Sequence, residues 1–415
     1  MIDALFVGAV VLLWAAVLHN TVLLLAARSF VLGRRRRAGG DAGDGVGGDG
    51  WLPGVSVLVP AHDEARVIDR SIRAYLALDY PVDRLEVVVV DDASADGTGD
   101  VCDRVAAEDP RVRVVHVPRG EGGRGKAAAL NAGLSHCRFP LLAVYDADNR
   151  PRPDALRRLV EAVRDPVHDG AVGSIVKANR RRTLLNRFTS IEFAAFQWMI
   201  QAGRARLFDL VLLPGTNFVV RRDAVAELGG WDPDALTEDL DLSVRLYAAR
   251  RRIAFVPEAV SDEQDPERLR PWFHQRLRWT VGNLYVVRKH LGALLRRPRW
   301  RTTGEVLSLV YFQVLFLSAL IASDALFVAG LVGAVHLRVP GPYVALWFLA
   351  FALFVASIQL TQALEGEDDW RTPFVAGLMY LTYAQLWIFL ALRGLVTFLV
   401  TGGIASWTKT PRFAD

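Results

Sequence analysis

Cysteine is nearly absent: the 415 residues contain two, Cys102 and Cys137. Two thiols with no metal-site spacing exclude a secreted disulfide scaffold and a cysteine-based zinc module. Both read as small buried hydrophobes. Lysine is almost as scarce, at positions 126, 177, 289 and 409, with arginine carrying the rest of the basic charge. Charge is close to balance, with Lys+Arg 49 against Asp+Glu 45 and a net charge of +4, and no nucleic-acid partner is expected. No internal repeat is visible. With 52% hydrophobic residues the chain is not a disordered one. At about 100–200 residues per domain, its length calls for two or three units.

The apolar excess collects at the two ends. Residues 4–32 are apolar apart from His19, Asn20 and Arg28, and about 20 apolar residues cross a bilayer. A cleaved signal peptide has basic residues in front and a small-residue site behind. Here Asp3 stands in front and Arg34, Arg35, Arg36 and Arg37 stand behind. The stretch therefore reads as an uncleaved span whose arginines, and the central region after them, lie on the cytoplasmic side of the cell membrane. Three more apolar stretches cover 305–337, 343–364 and 373–404. As three simple spans they would leave the C-terminus outside, yet Lys409 and Arg412 in the tail favour the inside. A stretch folding as a span plus a re-entrant or interfacial piece would reconcile the two. The expected division is a membrane helix at 1–34, a flexible glycine- and aspartate-rich linker at 35–50, a catalytic unit at 51–264, amphipathic interfacial helices at 265–302, and a membrane region of three to four segments with a short tail at 303–415.

In the middle, β-branched runs at 55–59, 85–90, 112–117 and 141–145 alternate with helical stretches at 65–78, 98–108 and 126–137. Apolar strands alternating with helices predict an α/β, doubly wound parallel sheet buried on both faces. Ligands of such sheets bind at the carboxyl ends of the strands. Those ends are polar here. Pro60, Ala61, His62, Asp63 and Glu64 follow the first strand, and Asp91, Asp92, Ser94, Asp96 and Gly97 follow the second. A glycine-rich loop at 120–125 leads into Lys126, and Asp146-Ala147-Asp148 follows the fourth strand.

In extended chain, residues i and i+2 share a face, so Asp146 and Asp148 can meet one cation. Hard oxygen ligands suit Mg²⁺ or Mn²⁺ with phosphate oxygens as further partners. The plainer reading is a pair of turn aspartates, but their place among other acidic strand ends favours the cation. Asp91 and Asp92 either cap the next helix or accept hydrogen bonds from a nucleoside. Lys126 suits phosphate contact or loop support; without a following Ser or Thr it is no P-loop lysine. Further on, Thr237-Glu238-Asp239 precedes a helix at 240–249. Thr237 is a natural N-cap, and Asp239 is a candidate general base on a hydroxyl. On a helix Gln275, Arg278 and Trp279 share one face. Guanidinium groups there can hold a diphosphate, and an indole can stack on a sugar. The basic, aromatic stretch 268–301 also suits an anionic membrane surface.

These motifs carry a resemblance. Val59-Pro60-Ala61-His62-Asp63-Glu64, Asp91-Asp92-x-Ser94-x-Asp96-Gly97, Gly125-Lys126-Ala127-x-Ala129-Leu130-Asn131, Asp146-x-Asp148, Thr237-Glu238-Asp239 and Gln275-x-x-Arg278-Trp279 occur in that order. The set resembles the membrane-embedded family-2 glycosyltransferases, which include cellulose, chitin, hyaluronan and poly-N-acetylglucosamine synthases. The resemblance implies a GT-A fold and an inverting transfer from a UDP-sugar, UDP-N-acetylglucosamine favoured, to a growing polysaccharide, coupled to export through the membrane helices. It places Pro60, Ala61, Glu64, Asp91, Asp92, Lys126 and Asp146 around the nucleotide, and Asp146 and Asp148 on Mg²⁺ or Mn²⁺. Asp239 would be the base, with Glu238 beside it. Gln275, Arg276 and Arg278 would grip the diphosphate, Trp279 would floor the acceptor site, and Gly215 and Thr216 would stand on an acceptor-side loop. It also allows a small accessory membrane subunit. The rival readings are a single-addition enzyme acting on a membrane lipid, either polyprenyl phosphate or diacylglycerol, and, more remotely, a non-catalytic scaffold or transporter.

Overall fold

The computed structural model describes residues 2–40, 51–180, 182–336, 338–367 and 369–403. The chain starts with a long helix, α1 (Ile2–Gly40). That helix continues six residues into the stretch expected as linker; the remainder of that stretch, 41–50, and the C-terminal tail lie outside the described residues.

The catalytic unit follows as β1 (Val55–Ala61), α2 (Ile68–Leu76), β2 (Leu85–Asp91), α3 (Thr98–Glu108), β3 (Val112–His116), α4 (Lys126–Leu134) and β4 (Leu141–Val144). Then come β5 (Arg150–Pro151), α5 (Ala155–Arg164), β6 (Gly170–Lys177), α6 (Leu184–Ala194), a π-helical turn (Ala195–Gln201), α7 (Ala202–Phe208), β7 (Phe218–Arg221), α8 (Arg222–Glu227), α9 (Glu238–Ala248) and β8 (Ile253–Glu263). The eight strands form one sheet in the order β3-β2-β1-β4-β7-β6-β8-β5. The half β3-β2-β1-β4 is parallel, as the alternating strands and helices predict. Beyond it β7 runs antiparallel to both β4 and β6, β6 and β8 are parallel, and β5 is antiparallel to β8. The sheet is therefore mixed, not wholly parallel. β7 is reached from β6 through a long helical excursion, α6 and α7, instead of a single crossover helix, and that connection lets it enter in the opposite sense.

Each face of the sheet carries its own core. One packs Leu58, Val88, Val90 and Val144 against Ala27 of α1, Leu130 of α4, Ala202 of α7 and Leu242 and Leu246 of α9. The other packs Val57, Val87 and Val89 against Ile68 and Ile72 of α2, Val105 of α3 and Leu159 and Val163 of α5. Cys102 and Cys137 are both buried free thiols in these cores.

After β8 come α10 (Leu269–Arg296) and α11 (Trp300–Val310), a second π-helical turn (Tyr311–Phe316), α12 (Leu317–Leu331), α13 (Tyr343–Glu365), α14 (Thr372–Leu381) and α15 (Tyr383–Thr401). The stretch 265–302, expected as interfacial helices, forms one 28-residue helix, α10, followed by the start of α11. Among the described residues, four helical stretches are long and apolar enough to cross a membrane: Ile2–Arg34, Trp300–Gly330, Tyr343–Glu365 and Thr372–Thr401. Many of their large side chains point outward; Val344, Phe374, Leu399 and Val400 are each more than 70% exposed. So many exposed apolar groups on apolar helices fit a lipid surround. The last stretch breaks at Thr382, between α14 and α15. At 1.5 Å per residue the ten residues of α14 reach about 15 Å, half of the hydrocarbon core.

Candidate active site

The carboxyl ends of β1, β2 and β4 point the same way, and the loops after them open on one cavity of about 1030 Å³. β1 contributes Pro60, Ala61, His62 and Glu64, the β2 end Asp92, the glycine loop Arg124 and Gly125, and α4 its first residue, Lys126. The β4 end adds Asp146 and Asp148, the loop before β7 adds Gly215 and Thr216, and the start of α9 adds Thr237, Glu238 and Asp239. Gln275, Arg278 and Trp279 of α10 close the opposite wall. From there the cavity continues to Glu305, Ser308, Phe312, Gln313 and Trp387 among the membrane helices.

Lys126 stands at the centre. Its Nζ lies 2.6 Å from Asp146 Oδ1 and 3.7 Å from Glu238 Oε1, and donates to the Gly215 carbonyl at 2.7 Å. Gly215 has φ +86°, and a Cβ there would lie 3.1 Å from Asp239 Oδ2 and 3.3 Å from Lys126 Nζ. Only a glycine lets the loop turn left-handed this close to both. Burial opposes the lysine charge, but Asp146, Glu238 and Asp239 outweigh it and hold the ammonium well above its usual range. Burial also drives Glu238 up to about 7, against the pull of Lys126 and with Asp239 adding to the rise. Burial likewise raises Asp239, with Lys126 and the Leu240 amide opposing.

The Asp146–Asp148 loop is fixed from three sides. The Asp146 amide donates to Asn149 Oδ1 at 2.7 Å and to Thr216 Oγ1 at 3.1 Å. The Thr216 hydroxyl donates to the same Asn149 oxygen. From beneath, the buried Tyr75 hydroxyl donates to the Asp146 carbonyl at 2.6 Å and to the Asn149 carbonyl at 3.3 Å. No three His, Cys, Asp or Glu side chains converge as a metal cage among the described residues. Two carboxylates on a braced loop fit a cation that completes its shell with phosphate oxygens and water, the habit of Mg²⁺ and Mn²⁺. At the second strand end Asp92 accepts from the Gly123 amide at 3.0 Å, which ties the glycine loop to β2. Burial raises the Asp92 carboxyl, with that amide opposing.

Two residues expected in the site stand behind it. Asp91 does not line the cavity. Its carboxylate accepts from the Ser94 amide at 3.2 Å and pairs with His116 Nδ1 at 3.1 Å, so it braces the β2 and β3 ends. Arg276 is fully buried. Its guanidinium lies 3.2 Å from Glu192 Oε1, donates to Gln275 Oε1 at 2.8 Å and sits 4.1 Å from the Trp279 ring centroid. Successive residues on a helix face different ways, and the face of Arg276 is the one turned to α6. It holds Gln275 and Trp279 in place, with its terminal nitrogens donating to Gln275 and Glu192.

Other lining residues have no motif to announce them. Glu192 of α6 lines the cavity while binding Arg276 and accepting from the Tyr383 hydroxyl of α15. Its only signal is a lone carboxylate in an apolar helical run. Glu263 lines the cavity and pairs with buried Lys177 at 3.4 Å. Asp234, a further lining residue, and Asn149, which braces the Asp146 loop from behind, are likewise invisible without the fold. Asn131, part of the glycine-loop motif, accepts from the Trp231 amide and donates to its carbonyl, fastening the start of the loop that leads into α9.

α10 approaches this loop closely at Gly282, where a Cβ would lie 2.8 Å from the Thr237 side chain and 2.9 Å from its amide nitrogen. Gly282→Ala should therefore push α10 from the loop. The expected cost is about 1–3 kcal/mol, typical of overpacking, read as a lower melting temperature together with reduced turnover.

A family model described as glycosyltransferase-like family 2 matches residues 53–282. The chain is 39% identical over 367 residues to "Probable glycosyltransferase YdaM" of Bacillus subtilis, covering 87% of each protein. It is 29% identical to a beta-monoglucosyldiacylglycerol synthase of Synechocystis, covering 77% of this chain and 66% of that one. It is 23% identical to a poly-beta-1,6-N-acetyl-D-glucosamine synthase of Staphylococcus epidermidis, covering 87% and 88%. Among solved structures, a mannosyltransferase of Pyrobaculum calidifontis, in complex with GDP-Man and Mn²⁺, superposes with TM-score 0.61 at 23% identity, covering 92% of this chain and 99% of that one. That likeness supports the GT-A architecture described above. With most of the catalytic unit matched by the family model, and with the Bacillus relative covering nearly the whole chain, the protein belongs to glycosyltransferase-like family 2 and is a hexosyltransferase.

Proposed function

We propose that the protein transfers a sugar from a nucleoside-diphosphate sugar, UDP-N-acetylglucosamine favoured, to the hydroxyl end of a growing β-linked glycan at the cytoplasmic face of the membrane. The observation that carries this reading is the continuity of the cavity. It runs from Asp146 and Asp239, past the Trp279 indole, to Arg204, Glu305, Ser308 and Gln313 beside the membrane helices. Polar groups alternating with Phe196, Phe312 and Trp387 suit a hydroxyl-rich sugar chain better than an acyl chain.

Charge narrows the acceptor further. Glu64, Asp92, Asp146, Asp148, Glu192, Asp234, Glu238, Asp239, Glu263 and Glu305 outnumber Arg124, Lys126, Arg204 and Arg278 in the lining. A second phosphate brought as acceptor would meet like charge in a low-dielectric site. A neutral hydroxyl acceptor is favoured over a polyprenyl phosphate. The second reading, a neutral lipid acceptor such as diacylglycerol, draws support from the name of the Synechocystis relative.

In the mechanism, an Asp239 carboxylate oxygen takes the proton of the acceptor hydroxyl, whose oxygen attacks the anomeric carbon. The carbon–oxygen bond to the diphosphate breaks on the opposite face, and the nucleoside diphosphate leaves. Arg278 and Lys126 are placed to meet the charge that develops on it. A divalent cation held by Asp146 and Asp148 would supply Lewis-acid stabilisation of the same leaving group. Trp279 orients the acceptor, and the enclosing walls limit access of water.

Product size tests the reading. Protein reconstituted in lipid with Mg²⁺ or Mn²⁺ and offered labelled UDP- and GDP-sugars should place label from one donor in a high-molecular-weight product. Label extracted into organic solvent, one sugar per lipid, would overturn the polymer. Asp239→Asn should cut turnover by about 10²–10⁴-fold while leaving UDP binding intact. The pH profile has a definite sign. Asp239 works only when deprotonated and burial raises its pKa, so kcat/KM should fall as pH drops, along an acid limb displaced upward from that of an ordinary carboxylate. Lys126→Met removes the charge that opposes the rise, and should move that acid limb to higher pH.

A further inference from the structure

The sequence uses lysine at four positions only. Each of the three that the structure describes bridges two carboxylates: Lys126 between Asp146 and Glu238, Lys177 between Glu263 and Asp265, and Lys289 between Asp232 and Asp241. A compact ammonium can bridge two carboxylates from different elements, which the planar fork of arginine does poorly. Lys126 belongs to the site. Lys289 touches no part of the cavity lining among the residues assigned above to donor, base or acceptor.

Its partners bracket the loop that leads into α9. Asp232 precedes that loop and Asp241 follows the base by two residues; Pro233, Ala235, Glu238 and Asp239 between them line the cavity. Lys289 Nζ lies 2.6 Å from Asp232 Oδ2 and 2.8 Å from Asp241 Oδ1. One helical turn earlier, the Tyr285 hydroxyl donates to the same Asp232 oxygen at 2.9 Å. Asp241 is fully buried and also takes His290 Nε2 at 2.7 Å and Arg245 Nε at 2.7 Å. Tyr285, Lys289 and His290 all stand on α10, the helix that also carries Gln275, Arg278 and Trp279, with Trp279 about 15 Å from Lys289 along the axis at 1.5 Å per residue. Both ends of the base-bearing segment are thus fastened to the helix that carries the acceptor floor.

We propose that Lys289 is a positioning residue: by clamping Asp232 and Asp241 to α10 it sets the Asp239 carboxylate against an acceptor resting on Trp279. This rests on the reading of Asp239 as the base. A loosened clamp leaves the donor pocket, built on β1, β2 and β4, untouched. It misplaces the base relative to the acceptor hydroxyl, so water competes better for the anomeric carbon.

The test compares Lys289→Met with Asp239→Asn in the reconstituted protein, measuring sugar transfer, donor hydrolysis and donor KM in the same reactions. Asp241 keeps Arg245 and His290 in Lys289→Met, so its buried charge stays paired. Transfer kcat is expected to fall about tenfold or more, since small misplacements are costly in oriented reactions. Donor KM should stay within about twofold, and hydrolysis per transfer should rise. Asp232→Asn, nearly isosteric, should shift the same ratio in the same direction, and carries the test if Lys289→Met does not fold. A wild-type ratio of hydrolysis to transfer in both variants overturns the clamp, as does an equal loss of transfer, hydrolysis and donor binding. If Asp239→Asn keeps its turnover, the base assignment fails and takes the clamp with it. If Asp239→Asn is inert while both clamp variants behave as wild type, the clamp alone fails.

Discussion

The site depends on one ammonium group. Asp146 comes from the loop after β4, Glu238 and Asp239 from the distant first turn of α9, and their carboxylates converge in one largely enclosed space. Carboxylates so placed repel one another unless they are protonated or given a counter-charge. Lys126 supplies that charge from the first turn of α4, within 2.6 Å of Asp146. Its hold on the Gly215 carbonyl brings in the loop before β7 as well. The sheet order follows the same logic. β1 lies between β2 and β4, and β7 joins β4 from the other side, so the four loops that carry polar residues open on one edge.

Helix α10 is the second organising element. Its first half presents Gln275, Arg278 and Trp279 to the cavity, and its second half anchors the segment carrying Asp239. Between them Arg276, fully buried, joins Glu192 of α6, whose carboxylate also receives the Tyr383 hydroxyl of α15. The Trp272 indole donates to Tyr383 at 3.0 Å. The catalytic unit is thereby joined to the membrane helices through buried hydrogen bonds, which fix geometry more narrowly than apolar packing alone. A cavity that begins at the strand ends and finishes among membrane helices requires such a joint.

Much of this was legible in the residues. The alternation of apolar strands and helices over 55–145 predicts the parallel half of the sheet. Polar strand ends locate the cavity, and the lengths of the apolar runs predict the membrane helices. Of the residues singled out, the cavity gathers Pro60, Ala61, Glu64, Asp92, Lys126, Asp146, Asp148, Gly215, Thr216, Glu238, Asp239, Gln275, Arg278 and Trp279. Asp91 and Arg276 stand behind it. The motif that contains each of them gives residue type but not direction, and direction is set by partners elsewhere: His116 at the end of β3 and Glu192 on α6.

The sequence by itself determined which local elements form, because periodicity, strand-end polarity and span length are properties of neighbouring residues. It also determined the inventory of carboxylates and the scarcity of lysine. The tertiary structure alone decided that the sheet is mixed, since β7 is reached through a helical excursion whose path no local pattern encodes. It alone decided which carboxylates share a cation. Lys289 meets Asp232 and Asp241 only because α10 packs along the start of α9, and ion pairs between segments that distant depend on packing across the whole domain.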